Sequence, residues 1–196
     1  VEVVNLSNVT SEVEVLLYDN AGTLLQRLPF QLSGYSQRHI NASLLLGSGV
    51  SGAAQVRALT GNSPLLAQSM FYFHDASGRI QSMYGSQAMQ PISGVKVGSY
   101  NLWLGMYNWL RVFNISETSE TVAINIYRQD GSPYTLTLSL PPRSGRDIGV
   151  HEFDTYGTVP NSYGLVSVEG PALSELLRIH PDDGGGIDFA FPTVVE

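Results

Sequence analysis

Four histidines, a cluster of carboxylates and a run of aromatic residues are where chemistry could begin in this chain. His74 and His180 are each followed closely by a carboxylate, Asp75 or Asp182. An acid-base or metal role would need further ligands or a nucleophile converging on the same point. Because the two pairs stand in stretches of similar sequence, they are read as turn-forming scaffold. His180 to Asp188 gathers Asp182, Asp183 and Asp188 around a glycine-rich loop, and calcium favours such oxygen clusters. The spacing departs from a D-x-D-x-D-G loop with a distal glutamate, so it is read as a solvated hairpin tip. No metal and no cofactor is expected.

Gly47-Ser-Gly49-Val-Ser-Gly52 fits the G-x-G-x-x-G pattern, whose glycines let a pyrophosphate approach a helix N-terminus. No carboxylate about 20 residues on would hold a ribose, and the segment is read as a loop between strands. The longest stretch of aromatic character is Tyr100-Asn-Leu-Trp103-Leu-Gly-Met-Tyr107-Asn-Trp109. Flat apolar faces with hydrogen-bonding edges suit sugars or protein partners, which makes Tyr100, Trp103, Tyr107 and Trp109 the candidate ligand-binding residues. The same alternation suits a strand wedged between domains. The loop His151 to Pro160 carries His151, Glu152 and Asp154, the residues an enzyme would use if it had a site between domains. No G-x-S-x-G elbow, H-E-x-x-H helix or P-loop occurs, and no catalytic residue is assigned.

The elements that must position these residues come in two similar sets. From Val3 to Gly22 and from Val112 to Gly131, six of twenty positions are identical: Val3/Val112, Asn5/Asn114, Ser7/Ser116, Val13/Val122, Tyr18/Tyr127 and Gly22/Gly131. The apolar period within each set is two, as in Val13, Val15 and Leu17 against Val122, Ile124 and Ile126, which predicts strands with one buried face. A turn with glycine at its end follows each. The likeness continues through Ser36/Ser144, pairs Val56 to Leu59 with Val166 to Val168, and matches the Gly61 to Pro64 turn with Gly170-Pro171 and His74 with His180. A repeat of about a hundred residues is the size of a domain. The expectation is all-β: two tandem antiparallel β-sandwich domains of about seven strands each, at 1–97 and 98–196, with an aromatic lead-in strand over 98–109.

On the asparagine that ends the first strand (Asn5 or Asn114), the glycine hairpin (Gly22 or Gly131) and the glycine-proline turn before the sixth strand, the chain resembles immunoglobulin-like and fibronectin-III-like modules. The resemblance implies tandem sandwiches of surface or secreted proteins. The Cys, Trp, Cys framework of antibody domains is missing, since the chain has no cysteine.

Composition narrows the partners. A net charge of −7 with a single lysine, Lys96, argues against nucleic acid. No apolar run reaches the length of about 18 residues that spans a bilayer. Charged residues are only 14 %, so the surface must rely on Ser, Thr, Asn, Gln and Gly. The aromatic lead-in before the second set has no counterpart before Val1, and the chain is read as cut from a longer precursor. The functional expectation is a non-catalytic structural or binding module of a larger secreted or cell-surface protein. The alternative is a carbohydrate- or ligand-binding accessory domain using Tyr100 to Trp109. Partners would be protein or glycan, and exposed edge strands leave homo-oligomerisation open.

Overall fold

The computed structural model describes residues 1–47, 49–61, 63–90, 94–154, 162–184 and 186–195. In the first half, β1 (Glu2–Asn5), β2 (Ser11–Asp19), β3 (Leu24–Leu32) and β4 (Gln37–His39) precede a short helix, α1 (Ala42–Leu46). After it come β5 (Gly52–Ala58), β6 (Leu65–His74) and β7 (Ile80–Gln87). The second half opens with β8 (Val95–Asn101), which runs across residue 97, and continues with β9 (Tyr107–Asn114), β10 (Glu120–Tyr127), β11 (Pro133–Leu140) and β12 (Gly145–Gly149). Helix α2 (Val150–Phe153) leads to β13 (Tyr163–Glu169), β14 (Ala172–Pro181) and β15 (Ile187–Val194). The fold is all-β and sandwich-like, and every strand pairing is antiparallel. Among the described residues no helix is long and apolar enough to cross a membrane.

Among the described residues the strands form four sheets, ordered β4-β1-β6-β7 and β3-β2-β5 in the first half, β12-β9-β14-β15 and β11-β10-β13-β8 in the second. Period-two alternation explains which side chains meet. Val13, Val15 and Leu17 on β2 point at Val3 of β1 and form one apolar cluster with Leu32 and Ile40. Val122, Ile124 and Ile126 on β10 join Leu110 and Val112 of β9, Val166 and Val168 of β13, and Tyr100 of β8 in another. The two clusters share no residue, so each half is closed by its own core.

Small polar groups fix the turns in the same way in both halves. The Asn5 amide donates to the carbonyls of Val9, Leu32 and Ser33 at 2.8, 3.0 and 3.2 Å, and its oxygen accepts from Ser7 N at 2.9 Å. The Asn114 amide donates to Thr118, Leu140 and Pro141 at 2.8, 3.0 and 2.9 Å, and its oxygen accepts from Ser116 N at 2.8 Å. Both asparagines are fully buried. Tyr35 and Arg143 both take positive φ in the following turn, and Ser36 and Ser144 each donate a hydroxyl back across it.

Sheet register corrects two pairings taken directly from the sequence. Val15 stands opposite Val56, and Ile124 opposite Val168, so Val56 matches Val168 and Gly52 matches Gly164. Likewise Asn5 faces Leu65 and Asn114 faces Ala172, which matches His74 with Pro181 and Phe73 with His180. A one-residue shift turns a side chain to the opposite face. His180 therefore stacks on Phe189, with centroids 5.1 Å apart, as Phe73 stacks on Tyr84.

The halves meet along several polar seams. Gln81 donates to Asp182 at 2.6 Å, Ser86 to Glu175, and Gly145 N to the Asn20 carbonyl at 3.0 Å. A Cβ on Gly22 would lie 2.1 Å from the Pro142 carbonyl oxygen, so this turn glycine serves a close approach between halves as well as its φ of 90°.

Candidate functional site

The stretch expected as one lead-in strand is two strands joined by a tight turn. Leu104 and Gly105 have φ of 57° and 73°, a left-handed pair that no strand can carry. Asn108 holds the turn shut: its amide donates to the Asn101 carbonyl at 2.7 Å, and its oxygen accepts from Asn101 N at 3.2 Å. The Asn101 side chain accepts from Trp103 N at 2.7 Å. Asn108 is fully buried between two aromatic neighbours, a polar residue at an inward position that the sequence reading passed over.

The four candidate aromatics separate by face. Tyr100 points inward from β8, is 1 % exposed and belongs to the second core. Its hydroxyl donates to Asp154 Oδ2 at 2.9 Å, and Ser162 donates to the same oxygen. Burial and this bond to a carboxylate hold the phenol well above its usual range. Trp103 and Leu104 stand on the turn, 53 % and 67 % exposed. Tyr107 and Trp109 lie two apart on β9, on its outer face.

Helix α2 adds the residue that joins them. Val150 is buried in the core and anchors the helix, while His151 lies over β9. Its ring centroid is 4.8 Å from Tyr107 and 5.0 Å from Trp109, tilted to the first and edge-on to the second. His151 Nδ1 is 3.1 Å from the carbonyl oxygen of Asn108, the residue between the two aromatics. Gly149 makes this possible, since a Cβ there would lie 2.9 Å from both His151 and Glu152 side-chain atoms. At the other end of α2, Phe153 stacks on Tyr134 and its carbonyl accepts from Arg128 at 3.0 Å. Asp154 turns in to Tyr100 and is itself buried. His151 thus packs on β9, while Asp154 binds Tyr100 and Ser162; residues 155–160 of that loop lie outside the described residues.

Solved and curated proteins offer little likeness. No family model matches the chain, and no curated protein matches it. The chain is similar to a solved structure described as the crystal structure of Thermotoga maritima 1070, at 12 % identity over 54 % of this chain and 96 % of that one, with a TM-score of 0.41.

The other motifs fall on scaffold. Gly52 is the first residue of β5, and a Cβ on it would lie 1.8 Å from the Tyr18 carbonyl oxygen; Gly164 meets the Tyr127 carbonyl oxygen in the same way, at 2.0 Å. A helix precedes this glycine segment and a strand follows it, the reverse of a phosphate-binding loop; Ser48 lies outside the described residues. Asp182 accepts from Gly184 N at 2.9 Å and Gly186 N at 2.5 Å, so it braces its own turn. Among the described residues no group of three His, Cys, Asp or Glu could hold a metal. The one lysine is not a surface charge: Lys96 is 2 % exposed and donates to the Gly170 carbonyl at 2.8 Å.

Proposed function

We propose that this chain is a non-catalytic structural and binding module built from two copies of one immunoglobulin-like or fibronectin-III-like domain, with its binding face at the Trp103, Tyr107, Trp109 and His151 end. Duplication is supported by the recurring strand orders, the paired asparagine networks and the paired glycines at 52 and 164. The binding face rests on one observation above all: the exposed Trp103 and Tyr107 and the half-buried Trp109 are held in place by the buried Asn108 and by α2. Ser43 of α1 stands where His151 stands in α2. Rigid aromatic rings with polar edges give large contact area at small entropic cost.

A carbohydrate is the second reading, favoured by the tilted Tyr107 and Trp109 pair bracketing an imidazole. Glycan-array screening followed by titration calorimetry of the native protein, Trp103→Ala and Tyr107→Ala tests it. Both substitutions are at exposed positions and should leave the unfolding midpoint unchanged while weakening glycan binding by about tenfold or more. No binding across a broad panel would refute the carbohydrate reading. Protein binding that survives both substitutions would refute the assigned face.

A further inference from the structure

The formal charge of −7 belongs to the second half: residues 98–196 hold twelve acidic and five basic residues, while residues 1–97 hold five of each. Around the aromatic face that charge is ordered. Register places Asp147, Arg111 and Glu175 in one row across β12, β9 and β14, and Arg111 is held by Asp147 at 2.7 and 3.0 Å. The next two rows on the same outer face, Trp109 beside Leu177 and Tyr107 beside Ile179, carry no charge. Arg128 and Arg178, on neighbouring elements, are engaged on the carbonyls of Phe153 at 3.0 Å and Ser99 at 2.5 Å.

Helix α2 brings an acceptor and a carboxylate to the uncharged rows. His151 Nδ1 lies 3.1 Å from the Asn108 carbonyl oxygen. That oxygen can only accept, so Nδ1 carries the hydrogen and the neutral ring keeps its lone pair on Nε2. Among the described residues Nε2 has no hydrogen-bond partner. Glu152 stands beside the ring: its carboxyl carbon and His151 Cε1 each lie 2.9 Å from where a Cβ on Gly149 would be, and the residue is exposed.

Resting on the reading of these rings as a binding face, we infer that its partner is a basic polypeptide segment. An arginine of that segment lies over an exposed ring, donates to His151 Nε2 and faces the Glu152 carboxylate. A guanidinium has donors only, stacks on aromatic faces and is drawn to their negative centre, so one side chain answers ring, lone pair and carboxylate together. A neutral glycan gains nothing from the carboxylate, and an acidic segment is repelled by it. The negative field of this half also steers a basic segment toward the face.

A synthetic Gly-Arg-Gly-Arg-Gly-Arg-Gly peptide is the probe, and its analogue with citrulline, which keeps the shape of arginine and lacks its charge, is the control. Titrated into the full 196-residue protein, the arginine peptide should give saturable NMR shifts at the indole N–H of Trp103 and Trp109 and at the amides of Tyr107 and His151. The citrulline peptide should bind about tenfold or more weakly. Trp103→Ala and Glu152→Gln, both at exposed positions, should each weaken the arginine peptide by about threefold or more with the circular dichroism spectrum unchanged. Raising salt from about 0.05 to 0.5 M should weaken it further. If a substitution disturbs the spectrum, the two peptides on the unaltered protein decide the matter. Equal binding of the two peptides at these rings, or glycan binding there without peptide binding, would overturn the basic partner and leave the binding face standing. Peptide shifts confined to other residues, or no saturable binding of peptide or glycan, would overturn both.

Discussion

Asn5 and Asn114 each satisfy three backbone carbonyls and one amide from a fully buried position. Asn114→Ala strands those groups without water, and each buried unpaired group costs about 1–3 kcal/mol. Urea unfolding should show a loss of at least about 2 kcal/mol, and a loss below about 0.5 kcal/mol would remove these asparagines from the account. Their identity was legible in the sequence; their use was not. Asn-x-Ser reads equally well as a glycan acceptor, and only burial shows that the amide is already fully engaged. His74 and His180 carry the converse lesson. They align by letter, yet the strand register stands His180 where Phe73 stands, and the bulge in each half lies just beyond that residue.

Strands were read well because a period of two survives in the letters. Their joints were not. The left-handed Leu104 broke the 98–109 lead-in in two, and leucine gives no local signal for that conformation. Its cause is the distant clamp from Asn108 to Asn101. The contact between halves was equally silent in sequence, since Gly22 and Gly131 look alike. Both have positive φ, but only Gly22 faces backbone, at Pro142, while Gly131 has open space. Gly22→Ala should lower the melting temperature more than Gly131→Ala; equal effects would mean that φ strain alone governs both turns. Strand β7 offers a pH test at the same seam. Burial pushes the Tyr84 hydroxyl up to about 12, with Glu175 and Asp147 adding to the rise and Arg111 opposing it. The folded state holds this proton more tightly than the unfolded chain, whose tyrosine titrates near 10. Its contribution is therefore complete below about pH 10 and is lost as pH rises toward 12. Thermal melts of Tyr84→Phe from pH 8 to 12 should show a shallower alkaline decline, with the remainder attributable to Tyr100, raised in the same direction.

Across the whole molecule, fold class came directly from strand periodicity and the near-absence of helix signals. The distribution of stability did not, because it depends on which edges are covered. Among the described residues the second core contains fifteen buried apolar residues, Tyr100 of β8 among them, and the first contains six. Val13→Ala and Ile124→Ala should each cost about 1–4 kcal/mol, and their effects should be separable if the cores are independent. The first half should unfold at lower denaturant. Coincident loss of both halves in every variant would mean that the seams at Gly22, Ser86 and Gln81 dominate over the cores.

Residue-resolved amide exchange of this 196-residue chain bears most directly on the claim that, among the described residues, β13 is paired on both sides and β5 on one. Strands β2 and β13, flanked on both sides, should be protected along their lengths, while β5 alternates slow and fast as its amides point to β2 or away from it. Uniform protection of β5, matching β13, would contradict the account.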